Sequence, residues 1–191
     1  MNQSACVQQN EELRAFHDLA RSFARKELLE HVHEHEYPYR RKVTGVVKMA
    51  GEAGLFGINL PVNWGGSGLD SSALAGIVEE IGAIDAGMAA ILFTHAAALE
   101  IIAAAAVIDE ERCQSIYELA TGPDGTPLAF QSYTSPEEIE FPEVSGNGKH
   151  LLNGKLPFLA LGGMARYAVA AGARQKDKGF SGLCPFPTDD P

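Results

Sequence analysis

The sequence predicts an α+β fold in which the first two-thirds of the chain is helical and the remainder is a β-domain. Apolar residues recur at steps of three and four over residues 10–33, the period of an amphipathic helix. Residues 87–106 are rich in alanine and apolar throughout, as in a buried helix. After Pro127 the pattern changes to short apolar runs separated by turn residues, which is typical of strands.

Five helices are predicted in the first part of the chain. Gly54 is expected to end the second helix as a left-handed cap, and Asp70 or Ser71 to cap the start of the third. Asp109 starts the last helix, which the Gly122–Gly125 turn ends. The predicted bounds of the helices are 10–33, 39–53, 71–85, 87–106 and 109–121.

An ordered loop is predicted over residues 54–70, because five glycines and one proline exclude a helix there. We expect Trp64, which precedes two glycines, to anchor this loop by packing. The loop and the five helices together form an expected helical domain over residues 1–126.

The β-domain is expected over residues 127–191. Residues 128–133 and 167–173 are predicted strands, and the acidic stretch 137–142, which a proline bounds, is a predicted exposed loop. Asn153-Gly154 lies between two apolar runs and predicts a hairpin turn.

Composition limits the classes of partner and the compartment. The 191 residues carry a net charge of −10 and scattered basic residues, which argues against a general binder of nucleic acid. Three cysteines far apart in the sequence argue against a disulfide framework and favour a reducing cytoplasm. The polar N-terminus does not resemble a signal peptide.

The apolar segment 86–108 contains His95 and Glu100, so we interpret it as a buried helix rather than a membrane span.

No catalytic residue and no metal ligand is predicted. His31 and His35 would share a helix face, but His33 would not, so this cluster is interpreted as a polar helix end. Cys113 is expected to be buried rather than nucleophilic, and His95 to be a hydrogen-bonded histidine of the core.

Three stretches resemble the acyl-CoA dehydrogenase family. Residues 54–70 resemble the family's loop between its second and third helices, and residues 109–122 its helix leading into the β-domain. Leu151-Leu-Asn-Gly-Lys155, followed by Phe158-Leu-Ala160, resembles the asparagine-glycine hairpin and the segment beside the flavin. The likeness extends over about residues 10–190.

This resemblance implies an N-terminal helical domain, a middle β-domain and a C-terminal helical bundle, with FAD between the last two. Members remove α and β hydrogens from acyl-CoA thioesters, in fatty acid metabolism, and an electron-transfer flavoprotein takes the electrons. By this likeness the sequence is a truncated member that contains only part of the antiparallel middle domain. In most members the catalytic base lies in the bundle, so no residue here is assigned to it.

The resemblance also implies which residues would contact FAD and where this sequence departs from the family. The implied cofactor-binding residues are Tyr133, Thr134, Phe158, Leu159 and Ala160. Ala160 stands where the family has a threonine whose hydroxyl approaches flavin N5, and Ser135 stands for a glutamate. Residues 137–140 put three carboxylates near the expected pyrophosphate position, where like charges repel.

Two functions remain open from the sequence. The first is a subunit of an FAD-dependent acyl-CoA dehydrogenase, with the base and the rest of the flavin site supplied by another chain. The second is a non-catalytic member that acts as a binding or structural protein, including as a homo-oligomer. A decayed gene product without function of its own is a third interpretation.

Overall fold

The computed structural model describes residues 3–30, 42–105, 110–121, 127–130, 139–141, 153–154, 159–174 and 180–187. The chain divides into two compact units, Met1–Pro127 and Leu128–Pro191. The first unit is helical and the second contains a β-sheet, which confirms the predicted α+β class.

All five predicted helices are present in the first unit, and their predicted ends at residues 33, 39, 106 and 109 lie outside the described residues. The first helix begins at Gln3 rather than at residue 10, because no glycine or proline interrupts the chain before Glu11. A single π-helical turn, Ala24–Leu28, continues it. The helices are α1 (Gln3–Phe23), α2 (Lys42–Glu52), α3 (Ser71–Gly82), α4 (Ala86–Ala105) and α5 (Glu110–Thr121).

The predicted caps are confirmed at both ends of the glycine-rich segment. Gly54 adopts φ +77°, the left-handed conformation that glycine reaches without a steric cost. The Asp70 side chain accepts a hydrogen bond from the Ala73 N–H at 2.9 Å and so satisfies one of the free amides at the start of α3.

The glycine-rich loop, residues 54–70, folds back on itself and is ordered as predicted. It contains two short 3-10 turns, Leu55–Gly57 and Val62–Trp64. Main-chain hydrogen bonds of 2.7–3.0 Å close it, from the amides of residues 67, 68 and 69 to the carbonyls of residues 57, 60 and 58 respectively.

The helical core is built from aliphatic and aromatic side chains of the helices and of the loop. The largest fully buried side chains of this unit are Leu28, Phe56, Ile58, Leu60, Ile77, Ile81, Leu92, Leu99, Ile102 and Tyr117.

A surface contact joins α1 to α3. The Arg21 guanidinium donates two hydrogen bonds to the Glu80 carboxylate, and that contact lowers the pKa of Glu80.

Helix α4 is long and apolar enough to cross a membrane, over Ala86–Ala104, and it is the one such helix in the part of the chain that the structure describes. Half of this span is buried inside the protein. Phe93 lies on its outer face and is 62% exposed.

The described residues of the second unit contain five strands, namely β1 (Ala129–Phe130), β2 (Ile139–Phe141), β3 (Asn153–Gly154), β4 (Tyr167–Arg174) and β5 (Phe180–Pro187). These strands form one sheet around β4. Strands β1 and β2 run parallel to β4 at successive positions along it, β3 pairs antiparallel with β2, and β5 pairs antiparallel with β4 along its length.

The structure corrects three expectations for this unit. The sheet is mixed rather than wholly antiparallel, because β4 pairs with strands that are distant in sequence and no hairpin fixes their direction. Residues 139–141 form a strand instead of an exposed loop. Asn153 and Gly154 are not a hairpin turn but pair with Glu140 and Ile139, since tertiary pairing overrides local turn preference.

Strand β5 was not predicted, because its two prolines count against a strand. Among the described strands it pairs with β4 alone. Proline lacks an N–H and is tolerated at such an edge, where one side of the strand makes no ladder hydrogen bonds.

Candidate functional site

The structure describes two of the five residues that are predicted to contact a flavin. Tyr133, Thr134 and Phe158 lie outside the described residues. Leu159 and Ala160 are described, and both are partly exposed.

Ala160 is bound through its main chain to Phe130. The Ala160 N–H donates to the Phe130 carbonyl and the Phe130 N–H donates to the Ala160 carbonyl, both at 3.2 Å, in an antiparallel bridge. The single main-chain donor of Ala160 is therefore used within the protein. Sequence reasoning missed Phe130, because the bridge joins residues thirty positions apart and leaves no local signal.

Main-chain hydrogen bonds stabilise the turn that follows Ala160. The Leu159 carbonyl accepts from the Gly162 N–H at 3.2 Å, and the Leu161 carbonyl accepts from the amides of Met164 and Ala165 at 3.0 Å. Leu161 adopts φ 65°, an uncommon conformation for a residue with a branched side chain.

Side-chain packing fixes the same turn. Leu159 and Leu161 contact a cluster of buried alanines, namely Ala129, Ala165 and Ala168. The strained conformation of Leu161 is thus maintained by hydrogen bonds and by contacts on the inner side of the turn.

These residues do not fit a hydrogen-bonding role toward a flavin. The family's threonine would offer a hydroxyl at position 160, whereas alanine offers a methyl group. Its N–H is already bonded to Phe130, and the Leu159 side chain packs against the alanine cluster. The side chains of the described part of the predicted site therefore supply nonpolar contact only.

A second cluster joins the glycine-rich loop to α4 in the helical unit. His95 is 1% exposed, and its Nε2 lies 3.0 Å from the Phe56 carbonyl oxygen. A carbonyl only accepts, so this nitrogen carries the proton. Burial lowers the pKa of His95 to about 4, although the hydrogen bond to Phe56 opposes this shift. His95 is neutral at pH 7, and the predicted core histidine is confirmed.

Asn59 fastens the same loop to the next turn of α4. Its Nδ2 donates to the Ala96 carbonyl at 3.1 Å and to Glu100 Oε1 at 2.9 Å. The sequence carries no signal for this contact, because it joins residues 41 positions apart.

Trp64 packs against α5, which agrees with its predicted role as the anchor of the loop. The centroids of the Trp64 and Tyr117 rings are 4.6 Å apart, with the planes inclined at 63°. The Tyr117 hydroxyl donates to the Leu99 carbonyl at 3.1 Å. Burial, with smaller effects from Cys113 and Glu100, raises the pKa of Tyr117, so this hydroxyl stays protonated and structural.

The remaining candidates are Cys113 and possible metal-binding groups of side chains. Cys113 is buried, as predicted. Within the described ranges, no group of three or more His, Cys, Asp or Glu side chains could hold a metal ion. The His31, His33 and His35 cluster lies outside those ranges.

Comparison with known proteins identifies a family that matches most of the helical unit. Residues 10–121 match the family model described as acyl-CoA dehydrogenase, N-terminal domain. An acyl-CoA dehydrogenase of Bacillus subtilis is 27% identical over 179 residues, which are 88% of this chain and 45% of that protein. The chain spans about half the length of the curated relatives it matches.

Two solved structures share the fold. Butyryl-CoA dehydrogenase from Megasphaera elsdenii superposes with a TM-score of 0.74 and 21% identity, covering 92% of this chain and 48% of that one. An acyl-CoA dehydrogenase from Bacillus anthracis, solved in complex with FAD, gives a TM-score of 0.77 at 19% identity, covering 94% of this chain and 32% of that one.

Proposed function

Because the chain belongs to the acyl-CoA dehydrogenase family, we propose that it serves as a subunit of an FAD-dependent acyl-CoA dehydrogenase. In this proposal it provides the helical domain and part of the middle β-domain. Another chain supplies the catalytic base and the rest of the flavin site. The substrate class is an acyl-CoA thioester, and the site of action is the cytoplasm.

The observation that carries the proposal is the match of residues 10–121, most of the helical unit, to the family. Five helices and the ordered loop between α2 and α3 are all present, and the loop is fastened to α4 and α5 by His95, Asn59 and Trp64. A unit that has kept its buried contacts and its fold can still serve as one part of a larger enzyme. The Bacillus anthracis relative, which is bound to FAD, supports the choice of cofactor.

The visible spectrum of the tagged protein, purified with the chains that accompany it, tests this function. We expect absorption bands of a bound oxidised flavin at about 370 and 450 nm. Anaerobic addition of an acyl-CoA should then bleach the band at the longer wavelength. Addition of free coenzyme A, which lacks an acyl chain, is the matched control and should leave the spectrum unchanged.

Two results would contradict the proposal. One is a colourless preparation that takes up no FAD even when every co-purifying chain is present. The other is a yellow complex that no acyl-CoA reduces, whatever the length of the acyl chain.

A non-catalytic binding or structural role is the second candidate, and one observation favours it. Ala160 has neither a hydroxyl nor a free N–H for a flavin, although it occupies the position of the family's flavin-contacting threonine. A colourless protein that still binds acyl-CoA or another chain in an equilibrium binding assay would support this role.

A further inference from the structure

The bridge between Phe130 and Ala160 has a consequence for any flavin in this protein. We infer that the bridge stays closed when FAD binds, so that Ala160 donates no hydrogen bond to the cofactor and other residues hold it. The inference deepens the proposed function, and rests on it for the presence of FAD.

Ala160 has no spare hydrogen-bond donor for a flavin. An alanine has one hydrogen-bond donor, its main-chain N–H, and here it lies 3.2 Å from the Phe130 carbonyl oxygen. A flavin acceptor could use this donor only if the bond to Phe130 were broken. The side chain offers no substitute, because it ends at the methyl group.

Opening the bridge would break two hydrogen bonds. Moving Ala160 away from Phe130 would also leave the Phe130 N–H without the Ala160 carbonyl. A flavin that took one bond from Ala160 would therefore have to compensate for two, and unmade hydrogen bonds in a partly buried segment are unfavourable.

The residues on either side of Ala160 are fixed by packing and by hydrogen bonds. Leu159 and Leu161 are packed on Ala129, Ala165 and Ala168, and two amides bind the Leu161 carbonyl. Displacement of Ala160 would withdraw at least one of these leucines from the alanine cluster. Packing and hydrogen bonding thus resist the same movement.

Amide hydrogen exchange followed by NMR tests the inference on the purified protein, together with its co-purifying chains where it has any. The amides of Phe130 and Ala160 report on the bridge. The amide of Ala165, bonded to the Leu161 carbonyl, is the control for general loosening of the unit. Exchange is measured without FAD and with excess FAD, and quenching of flavin fluorescence reports binding.

We expect slow exchange at Phe130 and Ala160 that changes by less than about twofold when FAD binds. If FAD binds and exchange at these two amides becomes much faster while Ala165 stays protected, the bridge opens and the inference is wrong, although the proposed function survives. Fast exchange at both amides before FAD is added would also overturn it. If no FAD binds, the proposed function fails and the inference, which concerns the FAD-bound state, fails with it.

Discussion

At the scale of single residues, His95 makes the stability of the helical unit depend on pH. Its folded-state pKa of about 4 lies below the ordinary value of 6.5, so between these values the unfolded state binds more protons than the folded state. The free energy of unfolding therefore falls as the pH is lowered from about 6.5 to about 4, by roughly 3 kcal/mol from this residue. Urea denaturation at a series of pH values measures the slope.

The matched variant for that experiment is His95→Gln. Glutamine keeps an N–H donor for the Phe56 carbonyl but does not titrate. We expect the variant to lose stability at pH 7, because the ring contact with Phe56 disappears, and to show a much shallower fall in acid. Equal slopes for the two proteins would show that His95 is not the titrating group.

Gly66 is a residue whose lack of a side chain is required by packing. A Cβ at this position would lie 2.0 Å from the Leu60 Cβ and 2.4 Å from the Leu60 carbonyl oxygen. We expect Gly66→Ala to destabilise the protein by about 3 kcal/mol, since the main chain of the loop must move. Thermal denaturation measures the change.

Gly45→Ala is the control for that substitution. Gly45 lies in α2, where an added Cβ meets no atom within 4 Å, and alanine favours a helix over glycine by about 1 kcal/mol. The melting temperature should rise for this variant and fall for Gly66→Ala. A fall of similar size in both would mean that the close approach of Leu60 is not the cause.

At the scale of elements, the N-terminus of α3 depends on one capping side chain. Asp70→Ala removes the acceptor for the Ala73 N–H and should cost about 1 kcal/mol of stability. Asp70→Asn keeps an acceptor oxygen, so it should retain most of that stability in chemical denaturation. If both variants lose the same amount, the carboxylate charge rather than the hydrogen bond stabilises the helix.

The helices could be predicted from the sequence and the short strands could not. Helical period, caps and glycine positions are local signals, so they gave all five helices, the left-handed Gly54 and the Asp70 cap. Strands β2 and β3 are two or three residues long and depend on pairing with distant residues. A short acidic segment and an Asn-Gly pair carry no trace of that pairing.

In the candidate site, too, local features could be predicted from the sequence and contacts between distant residues could not. Sequence likeness predicts that Ala160 lies in a flavin-contacting segment, at a position where the family has a threonine hydroxyl. It could not show that the Ala160 N–H is bonded to Phe130, because main-chain hydrogen bonds do not depend on side-chain identity. The contact of Asn59 with Glu100 escaped prediction for the related reason that it joins distant parts of the chain.

At the scale of the whole molecule, the helical unit Met1–Pro127 is expected to fold without the sheet. The contacts that fix its loop and helices join its own residues, including His95 with Phe56, Trp64 with Tyr117 and Arg21 with Glu80. A fragment of residues 1–127 should give a helical circular dichroism spectrum and unfold cooperatively. It should also reproduce the loss of stability in acid, because His95 and its carbonyl partner are both retained. A fragment that aggregates or lacks helix would show that these residues do not fold on their own, and would contradict the predicted helical domain over residues 1–126.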